Sequence, residues 1–220
     1  MELLEAIQKR HSVRSYSNRA IEEEKKSALR EKIEEINRES GLHIQLVTDE
    51  PKAFDGFMAH YGKFSGVRNY FALIGKKSDG LSERCGYYGE KLVLLSQQLG
   101  LNTCWVAMTY SKVKSAYDTA PGEKLVIVIA LGYGSTEGVQ HKSKALSDVS
   151  KADSDEAWFK DGVKAALLAP TAMNQQKFHF EKKGDKVTAT AGTGFYSKID
   201  LGIAKLHFEI GSGKDSSVWA

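Results

Sequence analysis

At 220 residues the chain can bury a sizeable core without disulfide or metal staples. Its 41% apolar and 27% charged residues are those of a globular protein, which excludes a disordered or fibrous class. The formal charge of +3 comes from interspersed acids and bases, as in EEEKKSALREKIEEINRE, so no single-sign tract recommends a nucleic-acid partner.

The opening MELLEAIQKRHS carries acids before any apolar run and reads as a short helix, not a secretory signal. An irregular stretch follows from Arg10 to Ala20. Ile21, Ala28, Leu29, Ile33 and Ile36 then recur at helix spacing, and Gly41 should end that helix. Leu42, Ile44 and Leu46 alternate with polar residues as a half-buried strand does, and a second strand is expected over Asn69 to Gly75. Leu92, Leu95 and Leu99 share one face of a central helix from about Leu81, closed by Gly100. Asn102 to Met108 reads as a strand, Ser111 to Asp118 as a short helix, and LVIVIALGYG as a strand buried on both faces. Its apolar core, Leu125 to Leu131, is far short of the roughly 18 to 20 residues of a membrane-spanning helix, so no membrane partner is expected.

The Gly- and Ser-rich GYGSTEGVQHKSK is the best boundary in the chain. It suggests a first domain over residues 1–150 and a second over 151–220. The second opens with Asp153 and Glu156, an N-cap signature ahead of a helix through Trp158, Val163, Ala166 and Leu167 that Pro170 should end. Lys177 to Glu181 and Lys186 to Thr190 flank a Gly-Asp turn and read as a hairpin. The last segment fits either a strand or a helix, and Ser197 with Asp200 as a capping pair favours the helix. Trp105 and Trp158 are expected as core aromatics. Cys85 and Cys104 have no metal or CxxC spacing; Cys104, inside TCWVAM, should be a buried thiol, and the expected compartment is a reducing cytoplasm. The histidines lack zinc spacing, and no serine sits in a nucleophile elbow.

Arg10, Ser12 and Arg14 alternate, so in an extended segment they project to one side. Two guanidinium forks and a hydroxyl suit a phosphate monoester, although the same triplet also occurs on solvated surfaces. With APTAMNQQ further on, the sequence resembles the nitroreductase family, whose members open with a helix and an R(R/H)SxR phosphate clasp and carry an APSxxNxQPW motif. Arg10, His11, Ser12 and Arg14 match the clasp; Ala169, Pro170, Thr171, Asn174 and Gln176 match the second motif, with Thr171 for the common serine and Lys-Phe for Pro-Trp. LNTCWVAM after Gly100 is similar to the family segment that passes the reactive flavin edge, and Lys142 and Lys144 stand where members often complete the phosphate site.

The resemblance implies an α+β fold with a central, mostly antiparallel sheet flanked by helices. It implies bound FMN, with Arg10, His11, Ser12, Arg14 and the two lysines at the phosphate. Ala107 and Met108 would meet the reactive edge, and Pro170, Thr171, Met173, Asn174 and Gln176 would surround the ring. NAD(P)H would be the reductant and a nitroaromatic, quinone or similar small molecule the oxidant, with no catalytic side chain required.

In this chain the second motif lies in the second half, which implies two partial repeats packed as a pseudo-dimer. The expected state is a monomer with one flavin, a homodimer being the alternative. A flavin-binding protein without turnover and a cofactor-free relic of the fold are the competing readings.

Overall fold

Apolar periodicity, glycine stops and turn residues set the elements of the computed structural model, which describes residues 1–220. In chain order they are α1 (Leu3–Lys9), α2 (Glu23–Ser40), β1 (Gln45–Val47), α3 (Phe57–Tyr61), β2 (Asn69–Lys76), α4 (Leu81–Gln98), β3 (Asn102–Val106), β4 (Glu123–Gly132), α5 (Leu146–Val149), β5 (Ser150–Ala152), α6 (Ala157–Ala166), β6 (Phe178–Lys183), β7 (Lys186–Ala191) and α7 (Ser197–Ser212). None of the helices is long and apolar enough to cross a membrane. The elements fall into two compact units. One, the clasp unit, comprises Arg10–Leu81 and Leu92–Gln140; the other, the loop unit, comprises Met1–Lys9, Ser82–Lys91 and His141–Ala220.

The clasp unit is built on an antiparallel sheet in the order β1-β2-β4-β3. Tyr70, Ala72 and Ile74 of β2 and Val128 and Ala130 of β4 point into one cluster with Phe54, Phe64 and Tyr110. Phe71, Leu73, Ile127, Ile129 and Leu131 point the other way and are just as buried, so the sheet is covered on both faces. Each such side chain contributes about 1.5–3 kcal/mol. Helix α2 ends as expected, with Gly41 in the left-handed conformation and its N–H on the Asn37 carbonyl. The first strand is shorter than its alternation suggested: pairing starts at Gln45, and Leu42 makes only an isolated bridge to Gly75.

Ser111 to Asp118 is not a helix. The Ser111 N–H donates to the Ala53 carbonyl at 2.7 Å and the Asp118 N–H to Gln45 Oε1 at 2.9 Å. Val113, Ala116 and Tyr117 lie partly buried on the aromatic cluster. A distant side chain thus takes the Asp118 N–H that a helix would have bonded internally, and the Ala53 carbonyl anchors the start of the segment.

In the loop unit β6 pairs parallel to β5 and antiparallel to β7. Phe159, Phe180, Phe208 and Trp219 pack in a chain of aromatic contacts against this sheet, with Trp158 edge-on to Phe208. Asp153 and Glu156 do not cap α6. They instead hold the Lys182 ammonium at 3.0 and 2.7 Å, and that side chain is 1% exposed. An aliphatic stem in the core with its charge delivered to two surface acids satisfies both demands on a lysine. Helix α6 ends at Ala166, before Pro170.

Ser197 and Asp200 likewise form no capping pair, because the N-cap of α7 is Tyr196 and no side chain caps it. Helices α4 and α7 meet at two glycines. A Cβ on Gly86 would lie 2.1 Å from the Ile199 carbonyl, and one on Gly202 would lie 2.1 Å from that of Glu83. Beside this crossing His207 Nε2 and Glu90 Oε1 sit 2.9 Å apart with both side chains wholly buried, while His207 Nδ1 is 3.1 Å from the Ala165 carbonyl and donates to it.

Candidate functional site

The clasp segment is extended because other strands pair with it. Ser12 bridges Thr103 in parallel, the Val13 N–H donates to the Thr103 carbonyl at 3.0 Å, and the Ser65 N–H donates to the Arg14 carbonyl at 3.0 Å. Val13 is buried, which turns the alternate residues to the opposite side. Gly138, at φ +73°, brings a loop backbone over this segment. A Cβ there would lie 2.8 Å from His11 Cβ and 3.1 Å from the Ser12 carbonyl oxygen.

Arg10, Ser12 and Arg14 all act on the Cys104 thiol. Burial pushes the Cys104 thiol up; the Arg14 charge, a hydrogen bond with Ser12 and the Arg10 charge oppose that rise. Cys104 is the buried thiol expected of it, at 2% exposure. Arg10 is buried, His11 and Ser12 are half-buried, and Arg14 is exposed with its guanidinium carbon 5.9 Å from the Phe64 ring centroid. Two guanidinium groups and a hydroxyl in one short extended segment are donor types that suit a compact anion. Ala107 and Met108 follow β3 directly, Ala107 half-buried and Met108 exposed.

In the loop unit the structure brings together Lys142, Lys144, Thr171, Asn174 and Gln176. Gln176 is the hub and is 2% exposed. Its Nε2 donates to the Lys142 carbonyl and to Asn174 Oδ1, both at 2.8 Å, and its Oε1 accepts from the Lys144 N–H at 2.9 Å. The Gln176 N–H donates to Thr171 Oγ1 at 3.1 Å, and Lys144 Nζ donates to the Gln176 carbonyl at 3.0 Å. Asn174 Nδ2 donates to the Lys142 carbonyl at 2.8 Å, which leaves that amide one N–H and one lone pair. Pro170 is buried, whereas Met173 is exposed.

The loop is bent through three non-glycine residues in the left-handed region, Met173, Asn174 and Gln176, with φ of 50°, 52° and 44°. Such residues persist only where their surroundings impose them, and they gather at functional sites. Two residues of this arrangement escaped the sequence reading. Gln175 Nε2 donates to Asp200 Oδ2 at 2.7 Å and to the Phe195 carbonyl at 2.8 Å. Asp200, 3% exposed, also accepts the Ala172 N–H. The signal was present, since Asp200 shares a helical stripe with the buried Ile203, Ala204 and His207, and an acid there is out of place.

One antiparallel sheet, one mixed sheet and flanking helices, with an arginine-serine-arginine segment on the edge of the antiparallel sheet, are the features to set beside known folds. A putative nitroreductase from Thermotoga maritima superposes with a TM-score of 0.64 at 23% identity, over 96% of this chain and 83% of that one. A nitroreductase-like protein from Streptococcus mutans gives 0.54 at 12% identity, over 66% and 94%. A putative nitroreductase from Desulfovibrio desulfuricans, solved in complex with FMN, gives 0.50 at 16% identity, over 67% and 94%.

The family model described as "Putative TM nitroreductase" matches residues 2–212, and the chain belongs to that nitroreductase family of oxidoreductases. No curated protein matches it.

Proposed function

We propose that the chain is an FMN-dependent oxidoreductase that takes reducing equivalents from NAD(P)H and delivers them to a nitroaromatic, a quinone or a similar small oxidant. The observation that carries this reading is the extended Arg10–Arg14 segment, held by Thr103 and Ser65, in a chain of the nitroreductase family. The donor set fits the group: paired guanidinium forks and a hydroxyl match a dianionic phosphate monoester. The FMN complex of the Desulfovibrio protein adds support.

Arg10, His11, Ser12 and Arg14 take the phosphate, and Lys142 and Lys144 are the cations that the loop unit offers. Ala107 and Met108 offer main-chain contacts to the ring system. Asn174 and Thr171 contribute the N–H, lone pair and hydroxyl that their own loop leaves available, Pro170 and Met173 offer apolar surface, and Gln176 keeps the loop in shape. Bound FMN would supply the exchange of two electrons between a nicotinamide and the oxidant, so the chain's task is to bind, orient and exclude water. The division near residue 150 into two partial repeats, a monomer with one flavin, and a reducing cytoplasm that keeps the buried thiols of Cys85 and Cys104 reduced all belong to this proposal.

The experiment is to load the full chain with FMN, measure flavin per chain by absorbance with light scattering, and mix it anaerobically with NADH or NADPH. One flavin per chain, bleached on mixing and recoloured by a quinone, is the expected result. A bound flavin that stays yellow with both nucleotides would leave a binding protein without turnover, and no uptake of FMN would end the reading altogether.

A further inference from the structure

Asp200 lies in the first turn of α7, 28 residues beyond the start of the 172–174 turn, yet its carboxylate belongs to that turn. The Ala172 N–H donates to Oδ1 at 3.0 Å and to Oδ2 at 3.2 Å, and Gln175 Nε2 donates to Oδ2 at 2.7 Å. The Gln175 amide cannot reverse, because its nitrogen also serves the Phe195 carbonyl and reversal would set its oxygen against two acceptors. One carboxylate therefore pins Ala172 and Gln175, the two residues that flank left-handed Met173 and Asn174.

We propose that Asp200 is a positioning residue for the flavin loop, its carboxylate fixing Ala172 and Gln175 so that Asn174 is presented to the ligand. The inference rests on the reading of Asn174 as a flavin contact. Asparagine would fill the same space, but its NH2 would meet the Ala172 N–H or the Gln175 NH2, donor against donor. A carboxylate presents an acceptor, and no opposing N–H, at every position that these two donors reach.

Keeping that acceptor ionised works against burial. Burial lifts the Asp200 carboxyl to about 6, opposed by the bonds from Gln175 and Ala172, and no charged side chain takes part. The only titratable group involved is Asp200 itself. A carboxylate held where burial disfavours its charge, and where no cation compensates, is the mark of a group kept for a task other than stability.

The test uses the flavin-free full chain, comparing wild type with Asp200→Asn and Asn174→Gly. Amide hydrogen exchange, expressed as protection factors so that intrinsic pH effects cancel, reads the order of residues 171–176 from pH 5 to 8. Fluorescence titration reads FMN affinity, and thermal melts read the fold. Wild-type protection of the loop should drop as pH falls below about 6. In Asp200→Asn it should be low at every pH, with FMN bound roughly tenfold more weakly, as loss of a charge-assisted hydrogen bond implies, and with a melting temperature at pH 7 no lower than wild type.

Wild-type protection and affinity in Asp200→Asn would overturn the proposal. So would a lower melting temperature with protection lost throughout the loop unit, which is the signature of a merely structural residue. Asn174→Gly keeps the left-handed backbone while removing the side chain, and should weaken FMN. If it binds FMN as wild type does, the flavin reading of the loop fails and the positioning role falls with it. If Asn174→Gly weakens FMN and Asp200→Asn does not, only the positioning role is lost.

Discussion

Between Arg10 and Arg14 it is the main chain that fixes the extended shape, whereas between Thr171 and Gln176 the side chains themselves hold it. The Val13 N–H and the Arg14 carbonyl pair with Thr103 and Ser65. In the loop it is Gln176 Nε2, Thr171 Oγ1 and Asn174 Oδ1 that accept or donate. The lesson is that substitutions in the two segments should fail differently. A lost clasp side chain removes affinity from an intact fold, and a lost loop side chain removes the fold of the loop first.

Gln176→Ala against Arg14→Ala is the sharpest contrast. Gln176→Ala strands the Lys144 N–H and Asn174 Oδ1 and removes one of the two donors to the Lys142 carbonyl, and should cost about 2 kcal/mol of stability, at about 1 kcal/mol or more per stranded group. Arg14→Ala should leave urea melts unchanged while FMN affinity falls roughly tenfold and becomes less sensitive to salt. Equal loss of stability in both variants would erase the distinction.

The next effect is one of pH. Because burial raises the Asp200 carboxyl in the folded chain, from 3.8 to about 6, its contribution to stability is fully present below pH 3.8 and is lost as pH rises through about 6. The size is about 3 kcal/mol. Urea melts should therefore show Asp200→Asn gaining on wild type between pH 4 and pH 7, and a difference that stays flat with pH would contradict the burial argument.

The smallest effect concerns backbone strain. Met173, exposed and at φ 50°, should become more stable by about 1 kcal/mol as glycine, because the left-handed penalty disappears. A melting temperature below wild type would mean that its side chain holds the loop after all.

How much could be read in advance follows from the range of the contacts. Helix α2 with its Gly41 stop, β2, β4 and the β6–β7 hairpin are governed by neighbours a few residues away, and their periodicities gave them directly. The arginine-serine-arginine alternation was legible for the same reason. Ser111 to Asp118 was not, since Ala53 and Gln45 take its amide hydrogens from far along the chain. Asp153 and Glu156 carried a correct local signal for a helix start, but Lys182 outcompeted the backbone for them. The roles of Gln176 and Asp200 depend on bonds spanning 25 to 34 residues, which no local spacing encodes.

The glycine crossing of α4 and α7 has a consequence for how this sequence can vary. Glu90 stands about one turn beyond Gly86, and His207 a little more than one turn beyond Gly202, so the backbone contact is the ruler that brings acid and imidazole face to face. Deleting or inserting a single residue between the crossing and either member would swing it about 100° around its helix. Length changes should thus be tolerated in the exposed turns and rejected in these two short spans, even where every remaining side chain is kept.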